Sequence, residues 1–359
     1  MRTLVISDLH IAQAGGISVL EQPRPLGILL EELRQYDRLV LLGDTVELQD
    51  LPASRAFPIA EPILRAIGEA VGSGRAVSDA VGSRRAISGA PGSRRAISGA
   101  PGSGRPIVLV PGNHDHVLVR NWAAAQGDSL ERDAVVPPQA SPELAQIVSW
   151  LGSERVEVRY PGVWLTDRIW AAHGHHLNFY LRPVSSVGVL HPRRRQHPAE
   201  LSLPSAYEHI PGSLSRQRVR DGLPASRWHD HLVSRRLAPV VSRVLDVQMR
   251  RHGLPAMAHV AHALEVDADY VIFGHVHRLG PLAHDESSQW LGLDGAQQLI
   301  NTGCWRFEPI ICQGRLTSHS YWPGGAVTIE ADGVPRPVNL LADLSERDFT
   351  HPATASAIR

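Results

Sequence analysis

The chain has 359 residues, of which 43% are hydrophobic, 20% charged and 5% aromatic. These are the proportions of a folded protein with enough apolar material for one large core, not of a disordered chain. Lys+Arg and Asp+Glu both number 36, for a formal net charge of +0, and every basic residue is Arg. The absence of lysine excludes P-loop and Schiff-base chemistry, and the balanced charge argues against a protein that coats nucleic acid.

In chain order, Thr3–Ile6 is a short apolar run ending in Asp8-Leu9-His10, and 26–33 has helical character. Arg38–Leu42 is a second buried run, ending in Gly43-Asp44, and 59–70 is expected as a helix. Between that helix and the next strand stands a repeat of period ten, in which the unit Gly82–Pro91 is copied unchanged at 92–101 and imperfect copies begin at Gly72 and Gly102. Each unit has one large aliphatic residue and several Gly or Pro, so it buries little against its ordering entropy; 72–105 is expected as a flexible cationic surface loop.

Ile107–Val110 is the third strand, ending in Pro111-Gly112-Asn113-His114-Asp115. A helix over 143–151 precedes short strands over 155–160, 163–165 and 168–172, the last ending in His173-Gly174-His175-His176. The Pro- and Arg-rich stretch 178–253 reads as an insertion, with a helix around Arg227–Arg251 and a solvated Arg193-Arg194-Arg195 loop. A helix over 257–264 leads to the strand Tyr270–Phe273, which ends in Gly274-His275-Val276-His277, and later strands are expected at 299–301 and 326–330. From Ser345 onward no packing pattern is visible. Cys304 and Cys312 cannot form a disulfide framework or a four-cysteine zinc site and are expected as reduced core thiols. No apolar run has signal-peptide or membrane-span length, so a cytoplasmic location is expected.

Strands this apolar are buried on both faces, and ligands of such sheets bind beyond the carboxyl ends of the strands. Each polar cluster has a plain alternative: Asp8 as a helix cap, Asn113 as a turn residue, His275 and His277 as surface histidines. What outweighs these is the set of five, each following an apolar run. Carboxylate, imidazole and amide donors together suit Mn²⁺, Fe²⁺ or Zn²⁺ better than Mg²⁺ or Ca²⁺. Seven such side chains exceed the needs of one tetrahedral ion and match two ions sharing a carboxylate.

The five blocks, in this order from Met1 to about Trp305, resemble the calcineurin-like metallophosphoesterase superfamily. The resemblance implies an α/β fold, the four-layer α/β/β/α sandwich with an inserted helical cap. It implies a single domain over 1–344, carrying the 72–105 and 178–253 insertions, and a tail over 345–359. Asp8, His10 and His277 would hold one divalent metal ion, and Asn113, His173 and His275 a second, with Asp44 bridging. A hydroxide between the ions would attack phosphorus, His114 would stabilise or protonate the leaving oxygen, and Asp115 would orient the His114 ring. The implied partner is a small phosphorylated substrate, with no stable nucleic-acid complex.

The Ser7–Ile11 and Leu41–Leu48 segments resemble the UDP-2,3-diacylglucosamine hydrolase subgroup, but His114 and His175 stand where that subgroup has Arg and Asp. A superfamily nuclease and a non-catalytic scaffold are the alternatives from other classes. The first is disfavoured by neutral charge and few aromatics, the second by a complete ligand set. Glu47 and Asp50 are expected to be exposed or at a helix end, His175 to line its turn, and Trp305 to lie in the core or a pocket wall.

Overall fold

The computed structural model of the chain describes residues 1–13, 17–73, 104–183, 190–192, 202–208, 243–244, 246–312 and 319–350. In chain order the strands are β1 (Thr3–Ile6), β2 (Ile17–Ser18), β3 (Arg38–Leu42), β4 (Ile107–Val110), β5 (Ala134–Val136), β6 (Val156–Tyr160), β7 (Gly162–Trp164), β8 (Ile169–Ala172), β9 (Leu181–Pro183), β10 (Leu190–Pro192), β11 (Tyr270–Phe273), β12 (Gln298–Asn301), β13 (Arg306–Phe307), β14 (Gly325–Ile329) and β15 (Pro335–Asn339). The α-helices are α1 (Pro23–Leu33), α2 (Ala53–Gly72), α3 (Arg120–Gln126), α4 (Pro142–Leu151), α5 (Leu254–Ala263), α6 (Pro309–Cys312) and α7 (Glu346–Thr350). Among the described residues no helix is long and apolar enough to cross a membrane.

Two sheets stack face to face. A seven-stranded mixed sheet runs β15-β14-β1-β3-β4-β6-β5, with β1, β3, β4 and β6 parallel. A four-stranded sheet runs β12-β11-β8-β7, with β12, β11 and β8 parallel. The two-residue period of a strand sorts its side chains between two cores. Val5, Val40, Leu42, Val108 and Val110 meet Ile169, Ala171, Ile272 and Ile300 of the other sheet. Their alternates Leu4, Ile6, Leu39, Leu41, Ile107 and Leu109 face outward into a core with α1, α2 and α4. On the far side Trp170, Val271, Phe273 and Leu299 pack on Leu254, Met257 and Ala261 of α5. The result is the α/β/β/α order, and burial on both faces is why the strands read as unbroken apolar runs.

Several details differ from the sequence expectations. Helix α2 starts at Ala53 and passes through Pro58 and Pro62, which face solvent while Ala56, Phe57, Ala60, Ile63, Leu64 and Ile67 are buried; the carbonyls the prolines free belong to Ser54 and Pro58, both on the exposed side. Arg105, read with the cationic loop, is buried and donates to the carbonyls of Leu33, Tyr36, Ala70 and Val71. It thereby satisfies buried carbonyls at and just past the C-terminal ends of α1 and α2. Residues 346–350 are also packed. Phe349 of α7 is fully buried, 5.3 Å from the Phe307 ring and 5.4 Å from that of Trp322, and Asp348 pairs with Arg24. One aromatic in five turn-length residues carries no periodicity, which is why the sequence did not show it. The repeat units at 82–101, the Arg193-Arg194-Arg195 loop and the helix expected around Arg227 up to 242 lie outside the described residues.

Two outcomes are expected. A Cβ on Gly72 or on Gly104 would meet the side chain of Arg155 in each case, so the chain leaves and re-enters the fold at one place around the repeat. Deleting Gly82–Pro101 should therefore leave thermal stability and metal content unchanged, because loop-closure entropy varies slowly with length. Phe349→Ala should cost about 3–5 kcal/mol in urea unfolding, whereas a loose tail would show no change.

Candidate metal centre

All five polar clusters sit at carboxyl ends of parallel strands, and the two sheets bring those ends to one rim. Past β1 and β3 the ladder continues, with the Asp8 N–H donating to Gly43 O at 3.0 Å and the His10 N–H to Asp44 O at 2.9 Å. From the other sheet, Gly274 N–H donates to His173 O at 2.9 Å. His173 crosses the seam between the sheets: its Nδ1 donates to Leu42 O at 3.0 Å, which leaves Nε2 as the lone-pair donor. Gly43 (φ 87) makes this crossing possible, since a Cβ there would lie 2.3 Å from His173 Nδ1.

The donors fall into two groups joined by one carboxylate. His277 Nε2 lies 3.2 Å from Asp8 Oδ1 and 3.2 Å from His10 Nε2. His173 Nε2 lies 3.1 Å from Asn113 Oδ1 and 3.2 Å from Asp44 Oδ2, and His275 adds a donor atom within 4.8 Å of those of Asp44 and His173. The same Asp44 Oδ2 is 3.8 Å from His10 Nε2 and so faces both groups. Each carboxylate divides its work. Asp8 Oδ2 accepts from the Ser7 hydroxyl and from His275 N–H at 2.9 Å, while Asp8 Oδ1 is buried with no hydrogen-bond partner. Asp44 Oδ1 accepts from His114 N–H at 2.8 Å, leaving Oδ2 toward the donors.

Strain is concentrated at the same place. Among the described residues, seven non-glycine residues have positive φ, and five of them are Asp8, His10, Asp44, His275 and His277. Such conformations cost of order 1–3 kcal/mol each and persist only where the surroundings over-determine them. A buried orphan carboxylate oxygen, converging imidazole lone pairs and strained backbones fit a divalent-metal centre, and nothing in this donor set conflicts with one.

The electrostatics of these side chains follow from burial and close charges. Burial opposes ionisation of Asp8, but His173 and His277 outweigh it and hold its pKa down at about 2; Asp44 is likewise held low by His173 and His114. Burial lowers His10 to about 4 and His275 to about 3. For His173 burial is overcome by the Asp44 and Asp8 charges, which raise it to about 10.

Two expectations about the site are corrected. Glu47 is neither exposed nor at a helix end: it is fully buried, and its Oε2 accepts from His114 Nδ1 at 2.7 Å and faces His10 Nδ1 at 3.4 Å. The cause is the register between distant segments, because Ile11 pairs with Val46 as the β1–β3 ladder runs on past Asp44, and the Glu47 N–H donates to Ile11 O at 2.9 Å. Asp115, expected to orient His114, instead accepts from the backbone N–H groups of Thr45 at 2.8 Å and Gly112 at 2.6 Å. It ties the Asp44 and Asn113 loops together, and Glu47 takes the place expected for it beside His114. Asp50 is exposed, Trp305 is in the core, and both cysteines are buried free thiols.

His175 lies 5.5 Å ring to ring from His173, in a cluster that the sequence did not suggest. There Glu208 accepts from Tyr160 OH at 2.6 Å and pairs with His116 Nε2 at 2.9 Å. Glu208 belongs to the 178–253 stretch, so that stretch touches the fold beside the centre.

Compared with known families, the chain matches the calcineurin-like phosphoesterase family over residues 1–279, and it belongs to that family. It is therefore a metal-dependent hydrolase acting on phosphoester bonds. Comparison with curated proteins gives no match.

Two measurements check the geometry. Gly43→Ala places a methyl group against the His173 ring and should weaken metal affinity by about 10–100-fold, read by metal analysis and calorimetry on folded protein. A ligand role for His173 requires its neutral form, whereas the Asp44 and Asp8 charges raise its pKa to about 10. Metal uptake at pH 8 should thus release protons, and affinity should tighten as pH rises, measured by calorimetry in buffers of different ionisation enthalpy.

Proposed function

We propose that the protein hydrolyses a small phosphoester with two divalent ions, of which Mn²⁺, Fe²⁺ and Zn²⁺ suit the donors best. One would be held by Asp8, His10 and His277, the other by Asn113, His173 and His275, with Asp44 shared. The observation that carries this reading is the position of Asp44 Oδ2, within 3.8 Å of His10 Nε2 and 3.2 Å of His173 Nε2. When bound, such ions polarise the phosphoryl group and supply a water nucleophile of lowered pKa.

The chain's own residues do the rest. His114 packs edge-on to His10, with ring centroids 4.7 Å apart, and its Nδ1 is committed to Glu47. Its Nε2 is left for the substrate. Burial would lower its pKa, but the Asp44 and Glu47 charges outweigh that and raise it to about 9. Its role is to stabilise or protonate the leaving oxygen. Glu47, held by the backbone N–H groups of Gln49 and Asp50 at 3.1 Å, fixes the tautomer of His114. Asp115 acts indirectly, by joining two loops.

On this reading 1–344 is one domain, extended by the packed α7, with 178–253 as an inserted cap, and the protein works in the cytoplasm. The segments resembling UDP-2,3-diacylglucosamine hydrolases make a pyrophosphate the second substrate class. His114 and His175 in place of Arg and Asp favour a simple phosphoester over it.

The test is a panel of phosphomonoesters, phosphodiesters and nucleotide-sugar pyrophosphates with each metal. Asp44→Asn should abolish turnover and lower metal content together; two retained metals with normal turnover would refute the shared-ligand reading. His114→Ala should keep the metals and lower turnover by about 10²–10⁴, less for a nitrophenyl ester. Glu47→Gln should reproduce part of that loss, and Asp115→Asn should act through stability.

A further inference from the structure

Beside the metal centre lies a cavity of about 230 Å³, in whose lining His275 and His277 take part. The rest of its wall is largely apolar, from Leu177, Leu181, Met249 and Ile311. Among the described residues the lining contains no Arg, Asp or Glu; its further polar side chains are Asn178, Gln248 and Tyr321, none of them charged. A second phosphate or a sugar ring would lose its hydration here without charged partners to replace it. An apolar group would lose nothing. For scale, an apolar cavity of about 150 Å³ accepts benzene, so this one has room for about nine carbon atoms.

The wall is held in place by the centre itself. Gln248 and Met249 come from the end of the 178–253 stretch, and Asp246, just before them, accepts from Arg278 Nε at 2.6 Å. Arg278 directly follows His277 in the chain and is buried. It also donates to Asp285 at 3.0 and 2.5 Å and lies 5.2 Å from the Trp290 ring centroid. A buried ion pair of this kind contributes definition of geometry more than stability. It ties the apolar wall to the backbone of a histidine of the metal centre, so the two keep a set separation.

We propose that this cavity takes the organic arm of the substrate, and that the arm is apolar: an alkyl or aryl group of about nine carbons, or the first such portion of a longer chain. The proposal rests on the phosphoesterase reading above and adds the substrate class to it. Because the cavity is lined by His275 and His277, its occupant lies next to the phosphorus and is the group esterified to it. Asp246 and Arg278 are positioning residues on this view, acting through Met249 and His277.

The test uses the metal-loaded full chain and a series of methyl, butyl, hexyl and octyl phosphates, whose leaving groups are chemically alike. In parallel, binding of the matching alkylphosphonates and of phenylphosphonate is measured by calorimetry. Each added methylene should raise kcat/KM and tighten phosphonate binding by roughly three- to fourfold, until about nine carbons fill the space. Phenylphosphonate binding more tightly than hexylphosphonate would identify an aryl arm, the reverse an alkyl one, and either supports the proposal. Met249→Gln should lower the octyl-to-methyl ratio about tenfold. Asp246→Asn should lower it through KM for the long esters, with metal content retained. Methyl and octyl members equal within about twofold, in both turnover and phosphonate affinity, would overturn the proposal while leaving the phosphoesterase reading intact. No hydrolysis and no phosphonate binding anywhere in the series would overturn both.

Discussion

The packing of two sheets through one shared layer of Val, Leu, Ile and Ala sets the position of every donor at the candidate metal centre. Val5, Val40, Leu42, Val108 and Val110 on one sheet and Ile169, Ala171, Ile272 and Ile300 on the other are all buried in that layer. Close packing leaves such a layer little freedom to slide. The strand ends above it are therefore held at a set spacing, and the side chains that follow them meet over the seam. His173 makes the link explicit, since it issues from β8 in the small sheet and donates to Leu42 O at the end of β3 in the large one.

The seam also explains the strained backbones. A strand that ends on a candidate metal ligand must turn at once, with no room for a relaxed loop. Asp8, His10, Asp44, His275 and His277 adopt positive φ to do so, although none is glycine. The neighbouring Gly43, Gly112 and Gly274 have no such choice: a Cβ on each would lie within 2.3–2.4 Å of His173, Asp44 or Ser7. Strain is accepted where the side chain matters, and glycine is used where any side chain would fill the centre.

Around the donors stands a set of groups whose task is orientation. Glu47 serves His10 and His114, Leu42 O serves His173, and Ser7 serves Asp8, itself 2.5 Å from the Thr302 hydroxyl. Arg278 extends the same logic outward, because it joins the residue after His277 to the wall of the neighbouring cavity. The centre is thus continuous, through hydrogen bonds, with the surface that would meet the rest of a substrate.

The strands that end in the polar clusters, the order of those clusters and the seven candidate ligands were legible in the sequence, because burial on both faces writes an unbroken apolar run and a strand end writes its own polar cluster; the short strands β2, β5, β9, β10, β13 and β15 were not. Helix α4 was legible over 143–151, while its cap, Ser141 accepting from Leu144 N–H at 3.1 Å, comes from the structure. Glu47 was not, because its burial comes from the continued pairing of Ile11 with Val46, a register between segments 35 residues apart. Nor were Arg105, bound to carbonyls of two helices up to 72 residues away, or Phe349, packed on Phe307 and Trp322. Which carboxylate meets His114 was likewise decided by tertiary contact: Asp115 is its chain neighbour, yet the backbone N–H groups of Thr45 and Gly112 claim it, and Glu47 arrives from another strand end. Local pattern determines which residues end a strand; only the packing of one strand end against another determines which of them touch.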